Sequence, residues 1–118
     1  MAVVVATKDN IEDLVENNHI VIFDFWAPWC APCRQFAPIF EAASDQYEDV
    51  IFSKVNTEEE REIAGHFSIR SIPTIMVFRE AMLVFAQPGM IPESAIGELI
   101  DKVKALDMDE VRKQKKQA

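Results

Sequence analysis

The chain has 118 residues, of which 49% are hydrophobic and 27% charged, a balance that indicates one globular domain and excludes an intrinsically disordered chain. Twelve basic and 20 acidic residues give a net charge of −8, and no basic stripe is present to neutralise phosphates, so nucleic-acid binding is not expected. The longest apolar runs fall far short of the roughly 20 residues that a membrane-spanning helix needs.

The N-terminal segment predicts an edge strand followed by a short helix. Val3–Ala6 is a β-branched run. Asp9 and Glu12 have the spacing of a capping box at the start of a helix, with Thr7 as the alternative cap. This segment lacks the cationic region and the small-residue cleavage site of a secretory signal, so we expect a cytoplasmic protein.

A buried strand and a longer helix follow. Ile20–Trp26 is apolar except for Asp24, which is typical of a central strand covered on both faces. The pKa of the Asp24 carboxyl group should be raised there, unless this residue caps a strand end or reaches water. From Ala31 the apolar residues recur with helical spacing, and the helix should end near Tyr47 and kink at Pro38.

The middle of the chain predicts a third strand and a third helix. Val50–Val55 has the composition of a strand. Thr57–Phe67 predicts a short charged helix that is capped by Thr57. Glu58–Glu60 would lie in its first turn, where the helix dipole favours acidic side chains.

The last part of the folded region predicts a hairpin and a closing helix. Ile75–Phe78 and Leu83–Phe85 are close enough in the chain to pair, but no glycine lies near Glu80–Met82, so the turn type stays open. Pro92–Leu106 carries a helical apolar stripe, and Pro92 suits the first turn. Arg112–Ala118 is basic and polar, and we expect it to be a solvated tail.

The predicted order, β-α-β-α-β-α-β-β-α, defines an α/β class. Strands separated by helices imply parallel neighbours with right-handed crossovers, and the final hairpin adds antiparallel strands. A mixed sheet with helices on both faces follows. We expect one domain over residues 1–106 and a polar, basic C-terminal tail over residues 107–118.

The two cysteines, Cys30 and Cys33, are three positions apart at the predicted start of the second helix. Residues with this spacing share a helix face at a separation that a disulfide tolerates. The unpaired N–H groups and the dipole at a helix start favour a thiolate at Cys30, and Cys33 should be less exposed. A static disulfide or two inert thiols are the alternatives, but so small a closed loop would stabilise little.

Two stretches of sequence are similar to signatures of the thioredoxin family. FDFWAPWCAPCRQFAP, Phe23–Pro38, resembles the active-site segment, and SIRSIPTIMVF, Ser68–Phe78, resembles the segment that carries a cis-proline. The resemblance covers roughly Val3 to Leu106 and implies a thioredoxin fold, a central mixed five-stranded sheet flanked by four helices. Between the cysteines, Ala31 replaces the glycine that is commonest in this family.

The resemblance implies four catalytic residues. Cys30 would attack a substrate disulfide, and Cys33 would then displace the substrate from the mixed disulfide. Asp24 would be the buried acid beneath Cys33 that takes up its proton, and Lys54 would lie near this acid.

The resemblance also implies a substrate-binding surface around Cys30. Pro73 would follow a cis peptide bond, and the backbone of Ile72 could pair with an extended substrate chain. Gly89 would let the substrate backbone approach closely. Trp29 would be exposed beside Cys30. The expected surface comprises Trp29, Ala31, Pro32, Ile72, Pro73 and Gly89, with Met90 at its rim.

The function implied is reduction of protein disulfides by a thiol–disulfide oxidoreductase. No bound cofactor is expected, because the dithiol carries two electrons that a separate, thioredoxin-reductase-like donor supplies. No metal site is expected, because His19 and His66 lack the spacing of zinc ligands. A non-catalytic partner-binding or holdase module and a disulfide oxidase or isomerase are the alternatives.

Overall fold

The computed structural model describes residues 2–117, which form five strands and five helices around one sheet. The strands are β1 (Val3–Val5), β2 (Ile20–Trp26), β3 (Ile51–Asn56), β4 (Thr74–Arg79) and β5 (Met82–Pro88). The helices are α1 (Ile11–Glu16), α2 (Ala31–Ser44), α3 (Arg61–His66), α4 (Glu93–Lys104) and α5 (Met108–Gln117). Among these residues, no helix combines the length and the apolar character needed to cross a membrane.

The five strands form one mixed sheet in the order β1-β3-β2-β4-β5. β3 runs parallel to both β1 and β2, whereas β4 runs antiparallel to β2 and β5. β2 is therefore the central strand, as its apolar sequence predicts. The mixed five-stranded sheet expected from the sequence is confirmed.

Side chains of β2 alternate between two apolar cores. Ile20 and Ile22 pack on the face covered by α2 and α4, in a cluster with Phe36 and Ile100. Val21, Phe23 and Phe25 pack on the opposite face, which α1 and α3 cover. Because both faces are covered, a continuous apolar run is stable in this strand.

Two helix starts differ from the expectations. Asn10, not Thr7 or Asp9, precedes α1, and its side-chain amide donates to the carbonyl oxygen of Val5. α3 begins at Arg61, so the prediction of Thr57 as its cap is wrong. The backbone N–H and the hydroxyl group of Thr57 both donate to the carbonyl oxygen of Trp26 instead.

The C-terminal segment forms a helix, α5, beyond the four that the sequence predicts. Met108 in its first turn is buried. Arg112 forms ion pairs with Asp109 in the same helix and with Glu80, which lies in the β4–β5 turn. The polar segment is thus attached to the hairpin, and its division from residues 1–106 as a separate tail stays a prediction.

The β4–β5 turn has an unusual backbone for its sequence. Glu80 and Ala81 have φ angles of 52° and 65°, the left-handed region that glycine occupies at least cost. Positive φ at both central residues is the pattern of a type I′ hairpin turn, whose twist matches that of the flanking strands. This turn therefore forms without the glycine that it normally uses.

Candidate redox site

The two cysteines lie at the start of α2, directly after the loop that leaves β2. They form a disulfide with 5.2 Å between their Cα atoms. Cys30 is the N-cap of α2, and its Sγ accepts a hydrogen bond of 3.2 Å from the backbone N–H of Cys33. Cys30 is 5% exposed and Cys33 is 1% exposed, in the order expected from their positions in the helix.

The loop between β2 and α2 is fixed by hydrogen bonds that the chain supplies locally. The backbone N–H of Cys30 donates to the carbonyl oxygen of Ala27 at 3.2 Å. The guanidinium group of Arg34 donates to the carbonyl oxygen of Pro28 at 2.9 Å. Pro32 lies within the first turn of α2, where its missing N–H leaves no backbone partner unsatisfied.

A cis peptide bond joins Ile72 and Pro73 beside the disulfide, which confirms the expectation for Pro73. The carbonyl oxygen of Ile72 lies 3.7 Å from Sγ of Cys30, and Ile72 packs against the buried cluster of Ala27, Cys30 and Cys33. The backbone N–H of Gly89 donates to the carbonyl oxygen of Pro73 at 2.7 Å. The cis-proline segment therefore lies against Cys30, and the segment after β5 is hydrogen-bonded to the cis-proline.

Asp24 is buried in β2 on the same face as Ile20 and Ile22, the face that α2 covers. Burial raises its pKa from 3.8 to about 7, although the positive charge of Lys54 acts in the opposite direction. Lys54 lies directly across from Asp24 in the register of β2 and β3. Oδ1 of Asp24 is buried without a hydrogen-bond partner, so the neutral form of the carboxyl group is favoured.

The ammonium group of Lys54 also lies over an aromatic ring. Its Nζ is 5.5 Å from the centre of the Trp26 ring, within the range of a cation–π interaction. Trp26 itself is half-buried and packs against the disulfide cluster. Lys54 therefore interacts with two side chains of β2, the buried acid Asp24 and the ring of Trp26.

Trp29 is the most exposed large hydrophobic side chain in the described part of the chain, at 66%. Its indole N–H donates to Oε1 of Glu58, and the other carboxylate oxygen of Glu58, Oε2, lies 3.7 Å from the guanidinium group of Arg61. Glu58, in the segment that precedes α3, thus holds the exposed ring of Trp29 by a hydrogen bond.

Most of the predicted site residues surround the disulfide. Ala31 and Pro32 are exposed between the cysteines, and Ile72, Pro73 and Gly89 form the facing backbone. Glu58 and Arg34 were not expected at the site. Glu58 accepts a hydrogen bond from Trp29, and Arg34 donates one to the carbonyl oxygen of Pro28. The sequence gives no sign of such contacts, because exposed charged residues are common on any protein surface.

Comparison with known proteins places this geometry in a family. The family model described as Thioredoxin matches residues 2–102. A Streptomyces coelicolor protein named "Putative thioredoxin 2" is 50% identical over 107 residues, covering 91% of this chain and 80% of that protein. Thioredoxin 1 of Synechococcus elongatus is 38% identical over 105 residues, covering 86% of this chain and 98% of its own length.

The chain belongs to the thioredoxin family. Among solved structures, a mutant thioredoxin from Halobacterium salinarum superposes with a TM-score of 0.82 at 27% identity, covering 88% of this chain and 92% of its own. Plasmodium falciparum thioredoxin superposes with a TM-score of 0.78 at 33% identity, covering 84% and 97%. The thioredoxin fold is thus confirmed, with five helices in place of the expected four.

Membership in the thioredoxin family, together with a Cys-x-x-Cys pair at disulfide distance, makes the protein a thiol–disulfide oxidoreductase. The disulfide itself is the redox group. Within residues 2–117, no group of three or more histidine, cysteine, aspartate or glutamate side chains is placed to hold a metal ion.

Proposed function

We propose that this thioredoxin-family protein works as a reductant of disulfides in other proteins. The Cys30 thiolate attacks one sulfur of the substrate disulfide, which forms a mixed disulfide and releases one substrate thiolate. The Cys33 thiolate then attacks Sγ of Cys30 and releases the second substrate thiolate. Two electrons pass to the substrate, and the protein is left with the Cys30–Cys33 disulfide.

The position of Cys30 as the N-cap of α2 is the observation that carries this proposal. The backbone N–H of Cys33 points at Sγ of Cys30, and the free N–H groups of the first turn stabilise negative charge there. These interactions lower the pKa of a thiol, and the thiolate is the nucleophilic form. Cys33 is more buried, which suits a thiol that acts only after the mixed disulfide has formed.

The second step needs a base for the Cys33 thiol, and Asp24 is our candidate for it. Burial raises its pKa to about 7, so both protonation states are populated near neutral pH. Lys54, across from it in β3, opposes this shift and keeps part of the carboxyl group ionised. We expect Asp24→Asn to slow release of the mixed disulfide more than its formation; equal slowing of both steps would remove the base role.

The backbone around the cis peptide bond is our candidate for substrate binding. The carbonyl oxygen of Ile72 faces Cys30, and an extended substrate segment could pair with it as an added strand. Pro73 contributes no competing N–H, and Gly89 carries no side chain on the facing segment. Trp29, with Ala31 and Pro32, would supply an apolar surface on the other side of the disulfide.

A separate, thioredoxin-reductase-like donor would return two electrons to the disulfide after each cycle, and disulfide-containing proteins would be the substrates. A reducing compartment suits this direction of transfer, so we propose the cytoplasm as the location and redox homeostasis as the role.

Insulin reduction with dithiothreitol as the electron source tests the proposed activity. The wild-type protein should accelerate precipitation of the insulin B chain, and Cys30→Ser should not exceed the dithiothreitol background. Cys33→Ser is the matched variant, because it should retain the first attack and accumulate the mixed disulfide. If the wild-type protein adds nothing over Cys30→Ser, a non-catalytic binding module replaces the proposed reductant.

A further inference from the structure

A groove lies on the sheet face that α1 and α3 cover. Its volume is about 460 Å³, within the range of roughly 300–1,000 Å³ of ligand pockets. The apolar part of its lining comes from α1, from α3 and the residue after it, and from the end of β4. The main contributors are Ile11, Val15, Ile63, Phe67 and Phe78.

Acidic side chains dominate the rim of this groove. Glu12 and Glu16 lie on α1, and Glu62 lies on α3. All three are exposed, and none forms an ion pair with any described residue. Lys8 is the only lysine or arginine among the residues that line the groove, so the three carboxylates outnumber the cations there.

We propose that this groove docks a segment of a partner protein in which apolar side chains are flanked by lysines or arginines. The apolar lining would take the apolar side chains, and the unpaired carboxylates would meet the cations. Glu12 and Glu16 are one helical turn apart, about 6 Å, which matches cations at i and i+4 of a helix or on alternate residues of an extended segment. The net charge of −8 steers a cationic partner towards this protein.

The groove is separate from the redox site. Phe78, at the groove, is four residues beyond Thr74, which follows the cis-proline in β4, and four residues of strand span about 13 Å. None of the residues that line the groove is among the predicted catalytic or substrate-binding residues. The proposal does not depend on the direction of disulfide exchange.

The test is an NMR titration of the isotope-labelled, full-length protein in its oxidised form. The probe is a model peptide with a leucine and a phenylalanine flanked by lysines, and its matched control carries glutamates in place of the lysines. The basic peptide should shift amide signals of α1, of α3 and of Ala81, which also lines the groove, and should bind more weakly as salt is added. The acidic peptide should leave these signals unchanged.

A double variant tests the rim directly. Glu12→Gln with Glu16→Gln should weaken binding of the basic peptide about 2- to 30-fold, the range for two exposed ion pairs. Glu41→Gln with Glu48→Gln removes the same charge from the surface away from the groove and should leave the affinity unchanged. Insulin reduction should be unaffected by either pair.

Several outcomes would overturn the proposal. Equal shifts with both peptides would mean unspecific apolar adhesion, and equal weakening by both double variants would mean long-range attraction to the whole protein. Shifts confined to other surfaces, or none at millimolar peptide, would exclude the groove. Groove shifts that appear on raising the protein concentration alone would assign the groove to a second copy of this chain.

Discussion

The backbone N–H of Gly89 donates a hydrogen bond of 2.7 Å to the carbonyl oxygen of Pro73, and this bond holds the segment after β5 beside the cis peptide bond. Gly89 has a φ angle of +94°, which L residues rarely adopt. A side chain at this position would meet no atom within 4 Å, so the constraint is the backbone conformation and not space.

We therefore expect Gly89→Ala to destabilise the protein by about 1–2 kcal/mol and to displace the segment that faces Cys30. Insulin reduction should lose catalytic efficiency, measured as kcat/KM. Gly65→Ala is the matched control, since Gly65 lies in α3 with open space around it and should gain up to about 1 kcal/mol. An unchanged urea midpoint and unchanged kcat/KM in Gly89→Ala would contradict the argument.

Asp24 should make stability depend on pH near neutrality. Its pKa rises from 3.8 to about 7 on folding, so the native state keeps a proton that the unfolded state has lost between these values. The stability associated with neutral Asp24 is complete below pH 4 and is lost as pH rises through 7. A shift of this size corresponds to at most about 4 kcal/mol.

Asp24→Asn should thus be more stable than the wild-type protein at pH 8 and should lose most of this advantage at pH 4, measured by urea unfolding at both values. Asp49→Asn is the contrasting variant, because a hydrogen bond from Lys104 lowers the pKa of this exposed carboxyl group. Its removal should give no gain at pH 8. An Asp24→Asn advantage that does not change with pH would show that ionisation is not its cause.

The parts of the fold predicted well from the sequence are those where apolar residues alone decide the outcome. The bounds of β2 agree with the run Ile20–Trp26, which is apolar except for Asp24, because a strand covered on both faces is made mainly of apolar residues. The start of α3 was predicted wrongly because Thr57, a good capping residue, is held by the distant carbonyl oxygen of Trp26. α5 has few apolar residues, and its ion pair with Glu80 depends on tertiary structure.

The candidate site likewise has residues that the sequence predicts and a contact that only the fold reveals. The cysteines and the cis-proline segment are recognisable because each has a sequence signature, and the structure brings Cys30 within 3.7 Å of the carbonyl oxygen of Ile72. The side chain of Glu58, which binds Trp29, has no such signature. An exposed acidic triplet is ordinarily solvated, so only the fold reveals this contact.

The β4–β5 turn offers a route to a more stable protein. Ala81 has a φ angle of 65°, and its side chain is exposed. Ala81→Gly should therefore stabilise by about 1 kcal/mol, because glycine adopts this conformation without strain. Ala86→Gly, an exposed position within β5, should instead destabilise by roughly 0.5–1 kcal/mol. The thermal midpoints of the two variants should move in opposite directions, and a loss of stability in Ala81→Gly would contradict the type I′ turn.

Arg79 should stabilise the C-terminal region more than Arg112 does. Its guanidinium Nη1 donates to the carbonyl oxygens of Val103, Lys104 and Leu106, at and just beyond the C-terminal end of α4. Arg79 therefore caps this end of the helix. The Arg79 side chain is only 14% exposed, so Arg79→Ala would leave these carbonyl groups with one charged donor fewer and should cost about 1.5–3 kcal/mol.

Arg112 makes its ion pairs on the surface, with its side chain 45% exposed, so Arg112→Ala should cost less than about 1 kcal/mol. Urea unfolding of both variants in low and high salt separates the two mechanisms. The loss in Arg112→Ala should shrink as salt is added, because exposed charges are screened, while the loss in Arg79→Ala should largely persist. Equal losses with the same salt dependence would show that Arg79 does not stabilise the C-terminal end of α4.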